Sequence, residues 1–437
     1  MKNLLIALAL FFSVQLVAQP KDVTDALKAF EKAQKESVDT KKATIPATWI
    51  KLAGAYTAIY DAPIKSLWFG ASRMELKVLL KDQRIINTET KKIQDQSFTV
   101  DSYEDKELYY GGDGMLAAWI VTKQYMEGDL LNEAFLALDK ATELDTQAAK
   151  SKDISDQFIA LKTRYQNEAM SAYALGNYQK ATDNFEASFK SSSHKLVKQI
   201  DTVIIYYTGL TANMSKDYNR AKKYFQMAID NGYDVKGDAY SYLAEAYKGL
   251  NDVEKAKEVL IVGFTKYPSN QSILVSLINT YLQSNDDPKK VLELIKKAQE
   301  NEPKNASLYY AEGNVWKNLK DVDKAIECYK KAVEIDPNYY FGTFAVGAAY
   351  YDRAVEIQAK ASEEVDDAKY EVLVKQLEWN LEAAIQPFES CFATTIDNEV
   401  KKVVAEYLKN IYFRFREKSD VYKAGYEKYN SYVGTAK

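Results

Sequence analysis

Few residues in this chain have the types and spacing that chemistry requires. Ser192-Ser193-His194-Lys195 contains a Ser-x-x-Lys spacing, which in acyl-transfer enzymes sets a nucleophile beside its base. The companion Lys-Thr-Gly is absent and the segment reads as a polar turn, so a solvated Ser/Lys loop is the simpler reading. Gly111-Gly112-Asp113-Gly114 resembles one unit of a calcium-binding nonapeptide array, but such sites need consecutive copies, and a single copy reads as a turn. Asp101, Glu104, Asp105 and Asp113 could supply an acid–base pair, although no spacing rule selects two of them. His194 is the only histidine, which removes zinc chemistry based on two His four residues apart. No Gly-rich turn ends in Gly-Lys-Ser/Thr to cradle phosphates. Cys328 and Cys391 are read as two small core thiols rather than a bridge. The expectation is a non-enzyme without cofactor or metal.

The elements that carry these residues are constrained by length and charge. A chain of 437 residues is about three times a single-core domain, so it needs several domains or an architecture without one large core. With 58 Lys plus Arg against 62 Asp plus Glu, and only seven of the cations Arg, it lacks the basic footprint of a nucleic-acid binder. Met1-Lys2-Asn3 is followed by an apolar run from Leu4 to Phe12, the pattern of a secretory signal peptide. Cleavage after Ala18 is expected, giving a mature chain that begins at Gln19 and a periplasmic, soluble product. No later stretch reaches the ~18 apolar residues of a membrane span.

Self-similarity is the strongest signal. Tyr309, Gly313, Trp316, Ala325, Tyr329, Ala332 and Pro337 recur as Tyr240, Leu243, Ala244, Tyr247, Ala256, Leu260, Gly263 and Pro268, and as Val275, Ile278, Leu282, Ile295, Ala298 and Pro303. The prolines lie 35 and 34 residues apart. Earlier copies keep 16 residues between helix anchors: Ile205 to Ala221, Tyr165 to Ala181, and Ala118 to Ala134. Small residues let two antiparallel helices approach closely, aromatics fill the space between them, and Pro stops the second helix. This pattern resembles the tetratricopeptide repeat (TPR), with six unbroken copies from 115 to 339.

Outside that block the phase is interrupted. Trp49, Leu52, Ala53 and Tyr56 match a first helix whose partner is expected at Ala71 to Lys81. Alternation of Phe98 with Val100 and of Leu108 with Tyr110 predicts a small hairpin or irregular loop within 82–114. Near the other end, Thr343, Val346, Gly347 and Tyr350 open a copy whose second-helix anchors, Ala384, Phe388 and Cys391, arrive 41 residues later instead of 16. Two helices lengthened by about three turns each, roughly 19 Å, account for the excess. The organisation read from this is 1–18 signal, 19–81 irregular helices, 82–114 insertion, 115–339 array, 340–398 lengthened pair and 399–437 capping helices.

The resemblance implies an all-α, right-handed superhelical solenoid, and extends to exported TPR proteins of Gram-negative bacteria. It implies a periplasmic scaffold for protein–protein interaction, with partners presented to first-helix residues that line the concave face. Those residues are Tyr206, Asn213, Glu245, Lys248, Gln283, Tyr310, Asn314, Lys317, Phe344 and Tyr351, read as not needed for packing. A receptor for a peptide or cell-wall fragment in the same groove, and a hydrolase or enzyme-associated subunit using the 82–114 insertion, are the alternatives.

Overall fold

The computed structural model describes residues 21–233, 237–284 and 289–435. The expected signal segment and its cleavage point lie outside them, as does Asn285-Asp286-Asp287, whose composition reads as a turn in the sequence. The chain divides into two compact units, Met1–Tyr233 and Asp234–Lys437.

The first unit opens with α1 (Lys21–Val38) and α2 (Pro46–Asp61), the latter started by a Pro at its first turn, where no donor is lost. A short helix, α3 (Arg73–Leu79), then leads into four antiparallel strands in sequential order, β1 (Asn87–Ile93), β2 (Gln96–Ser102), β3 (Lys106–Tyr110) and β4 (Leu116–Val121). Period-two alternation sends Leu108 and Tyr110 to one face, against Leu76 of α3, while Phe98, Val100 and Tyr109 pack on Ala174 and Leu175 from the other. Five helices complete the unit: α4 (Leu130–Leu144), α5 (Ser151–Ala174), α6 (Tyr178–Ser192), α7 (Thr202–Met214) and α8 (Tyr218–Asp230).

Three expectations are corrected here. Ala118 is not a helix anchor but a buried residue of β4, so the copy placed at Ala118 to Ala134 does not exist. The partner of α2 is not the helix at 71–81. It is α4, whose Ala134, Leu138 and Ala141 share a core with Leu52 and Ala53. The insertion therefore runs from the end of α2 to the start of α4, well beyond 82–114 on both sides, and it is a four-stranded sheet with a helix rather than a single hairpin.

The second unit consists of paired helices: α9 (Asp238–Gly249) with α10 (Val253–Lys266), α11 (Gln271–Gln283) with α12 (Lys289–Asn301), and α13 (Ala306–Asn318) with α14 (Val322–Ile335). The long pair follows, α15 (Tyr340–Glu363) with α16 (Asp367–Thr394), and then α17 (Asn398–Phe415) with α18 (Asp420–Thr435). The lengthened hairpin is as expected, with helices of 24 and 28 residues joined across Glu364–Asp366 and Asp366 capping the second.

Turns within pairs repeat one local solution in both units. A residue in the left-handed region, Gly176, Lys216, Asn251 or Lys320, is followed by an Asn or Asp. Its N–H closes on the preceding helix, as Asp217 does to the Ala212 carbonyl at 2.8 Å and Asp321 to Trp316 at 3.0 Å. The same side chain then caps the next helix, Asp217 accepting from Arg220 N and Asp321 from Lys324 N. One residue thus ends one helix and begins another.

Candidate partner-binding surface

The residues weighed for chemistry have structural roles. Ser192 is buried and donates to the Phe189 carbonyl at 3.0 Å, a bond within its own helix. Gly111 to Met115 closes the β3–β4 turn, with Asp113 accepting from Met115 N at 3.0 Å. Asp101 is fully buried, with both oxygens held by Arg73 at 2.6 and 2.8 Å and one also by Thr88 at 2.6 Å. Burial alone would raise its pKa, but the Arg73 and Thr88 bonds outweigh it and hold the carboxyl below the usual range. Asp105 pairs with buried Lys106 at 2.8 Å and accepts from Tyr125, while Glu104 pairs with Lys123 at 2.8 Å. Cys328 and Cys391 are free thiols, and burial pushes them up to about 12 and about 11.

The ten residues expected to line the groove fall into distinct settings. In the first unit, Tyr206 is buried and stacks on Tyr233 with ring centroids 4.4 Å apart. Asn213 is buried too, and its Oδ1 has no partner among the described residues. In the second unit Glu245 is exposed and Lys248 half-buried on α9. Gln283 ends α11, and its side chain lies outside the described residues.

The other five meet on α13 and α15. Tyr310 touches three rings, with centroids 5.7 Å from Tyr329, 5.8 Å from Tyr339 and 6.1 Å from Phe341. Asn314 Oδ1 accepts from the Tyr329 hydroxyl at 2.8 Å. Lys317 reaches the next first helix and pairs with Asp352 at 2.9 Å, both side chains half exposed. Phe344 lies 6.0 Å from Phe388, and Tyr351 packs edge-on against Tyr407 of α17 at 4.8 Å. Tyr310 and Asn314 were expected to be dispensable for packing. They instead hold the buried Tyr329 in place, because a ring that large between two helices needs a lateral support and a partner for its hydroxyl.

What remains accessible is a ledge of Phe341, 40% exposed, with the Lys317–Asp352 pair and the edge of Tyr351. Sequence reasoning missed Phe341, Asp352 and Tyr407. Phe341 occupies no repeat slot, Asp352 lies one residue past the pattern, and Tyr407 belongs to a capping helix whose approach no periodicity announces. Among the described residues no helix is long and apolar enough to cross a membrane.

The tetratricopeptide repeat family model matches residues 306–339. A BBSome complex member BBS4 homolog of Drosophila melanogaster is 23% identical over 184 residues, which cover 40% of this chain and 36% of that protein; the chain thus spans little more than a third of its relative's length. Among solved structures, a TPR repeats protein of Bacteroides fragilis is 19% identical with a TM-score of 0.26, covering 56% of this chain and 97% of its own. A thermophilic TPR protein of Thermus thermophilus is 20% identical with a TM-score of 0.28, covering 45% and 98%. These scores are too low to bear on function. The match shows that residues 306–339 of this chain are a tetratricopeptide repeat, and helix pairs on either side of it share its small-residue contacts.

Proposed function

We propose that the chain is an exported, non-catalytic scaffold that holds a protein partner in the periplasm, with the α13–α15 ledge as the contact. The observation that carries this reading is the ledge itself. An exposed aromatic ring near the start of α15, an open Lys–Asp pair about 16 Å further along that helix and a tyrosine edge beside the pair are spaced along a frame fixed by Tyr329 and Tyr407. Interfaces draw most of their energy from such aromatic and charged anchors on rigid supports. The charged and nucleophilic groups that might have supported catalysis are engaged in caps, turns and ion pairs, which favours binding over turnover.

The test uses the tagged chain expressed with its leader. Export predicts an intact mass beginning at Gln19; a product retaining Met1 in a membrane fraction refutes that part. Affinity capture from the native envelope should recover a stoichiometric protein. Phe341→Ser with Lys317→Glu should lose it by about tenfold or more at unchanged melting temperature. Retention of the partner by that double variant places the contact elsewhere.

A further inference from the structure

In the first unit the inserted sheet, α2 and the α5–α6 pair surround a cavity of about 450 Å³, within the range of about 300–1,000 Å³ that small-molecule sites occupy. Its walls include Tyr60 from the end of α2, Trp119 from β4, Tyr125 from the β4–α4 loop, Tyr165 and Glu168 from α5, and Lys180 from α6. The ionic groups are closed on one another. Tyr60 donates to Glu168 Oε1 at 2.9 Å and Lys180 Nζ lies 2.9 Å from Oε2. Asp129, at the rim, caps α4 by accepting from Asn132 N at 3.0 Å.

Tyr165 and Trp119 are not closed in this way. Tyr165 is 5% exposed and lines the cavity, yet among the described residues its hydroxyl has no hydrogen-bond partner. Burial and the Asp129 carboxylate hold the phenol above its ordinary pKa, so it is a protonated donor. The hydroxyl opens onto the cavity rather than being sealed in the core, whereas Trp119 Nε1, in the same wall, is fully buried with no partner among the described residues; two donors lining one cavity without a protein acceptor ask for a ligand that accepts.

We infer that this cavity binds a neutral, polyhydroxylated ring: a sugar of one or two units. The alternatives fit less well. An organic cation would have to displace Lys180 from Glu168, and an anion would meet Glu168 and Asp129 at short range. A purely apolar ligand would leave the Tyr165 hydroxyl unpaired and cover it. A sugar ring meets each feature, since its C–H faces suit aromatic walls and its hydroxyls can both accept from Tyr165 and donate to Glu168. This site is separate from the partner ledge, and its test does not depend on that reading.

The mature full chain is titrated by calorimetry and saturation-transfer NMR with glucose, N-acetylglucosamine and chitotetraose, with spermidine and benzoate as charged controls. At least one sugar should bind at millimolar concentration or better, and Tyr165→Phe should weaken it about tenfold, the effect of one hydrogen bond. The variant should melt no lower than the parent, because the hydroxyl it loses has no protein partner. Gln124→Ala, in the exposed part of the lining, should weaken binding without touching the core. Binding of the tetramer alone identifies a glycan chain as the source; equal binding of the single rings identifies free sugar. Absence of binding by all three sugars, equal sugar affinity in Tyr165→Phe, or a Tyr165-dependent response to spermidine or benzoate alone overturns the assignment.

Discussion

Two glycine-to-alanine changes should move local stability in opposite directions. Gly313 sits where α13 crosses α14, and a methyl there would lie 2.5 Å from Cδ1 of Tyr329 and 3.1 Å from the Ala325 carbonyl oxygen. Comfortable carbon contacts begin at about 3.5 Å. The carbonyl is backbone and cannot step aside. The ring is 1% exposed, flanked by Tyr310 and tethered to Asn314 at 2.8 Å, so it cannot swing away either. Overpacking of this kind costs about 1–3 kcal/mol, and replacing a helical glycine returns about 1 kcal/mol. The net for Gly313→Ala is therefore a loss of about 1 kcal/mol, or about a fivefold rise in local opening. Gly54, in α2, has only Gln157 Nε2 near the same position, at 3.9 Å. There the propensity gain stands alone, so Gly54→Ala should slow opening about fivefold. Hydrogen exchange read by mass spectrometry resolves the two helix pairs separately. If exchange in α13 and α14 is unchanged or slower in Gly313→Ala, the close crossing that anchors the repeat assignment is wrong.

The chain's single histidine gives a clean pH test. His194 stacks on Phe158 at 4.0 Å with Nε2 3.3 Å from Asp139, and burial, helped by the Lys195 charge, lowers its pKa below 6.5 against the opposing pull of Asp139. The unfolded chain therefore takes up the proton first, so stability present above about pH 6.5 should fall as pH drops towards the folded-state value and level off below it. His194→Gln should flatten that segment of the urea-stability profile; an NMR titration placing His194 at or above 6.5 refutes the sign. Arg73→Met leaves the fully buried Asp101 carboxylate without its cation. A loss of about 3 kcal/mol is expected, seen as early melting of the inserted sheet, and a parental melting curve would show that the pair does not hold it.

Local pattern determined most of the helical array. Gly313 with Ala325 and Tyr329, and Gly347 with Phe388, were legible because the two helices of a pair are joined by a short turn, so close contact recurs at a fixed spacing. The turns are equally local: a left-handed residue followed by Asn or Asp closes the preceding helix and caps the next within a few residues on either side. The long α15–α16 pair kept its slots, and only their separation changed. The pairing of α2 with α4 was decided by tertiary structure. Closing a loop costs free energy that grows only slowly with its length, so a folded insertion between partner helices is tolerated and leaves no periodic trace. The spurious anchor at Ala118 arose because a buried alanine suits a strand facing α5 as well as a helix facing another. The same limit governed the site. Periodicity placed Tyr310, Asn314 and Lys317 on one helix face, but whether a ring there is free depends on what approaches from other elements. Tyr329, Tyr339 and Tyr407 decided that, and so did the inserted sheet that closes over Tyr165, through contacts between residues whose separation in sequence carries no signal.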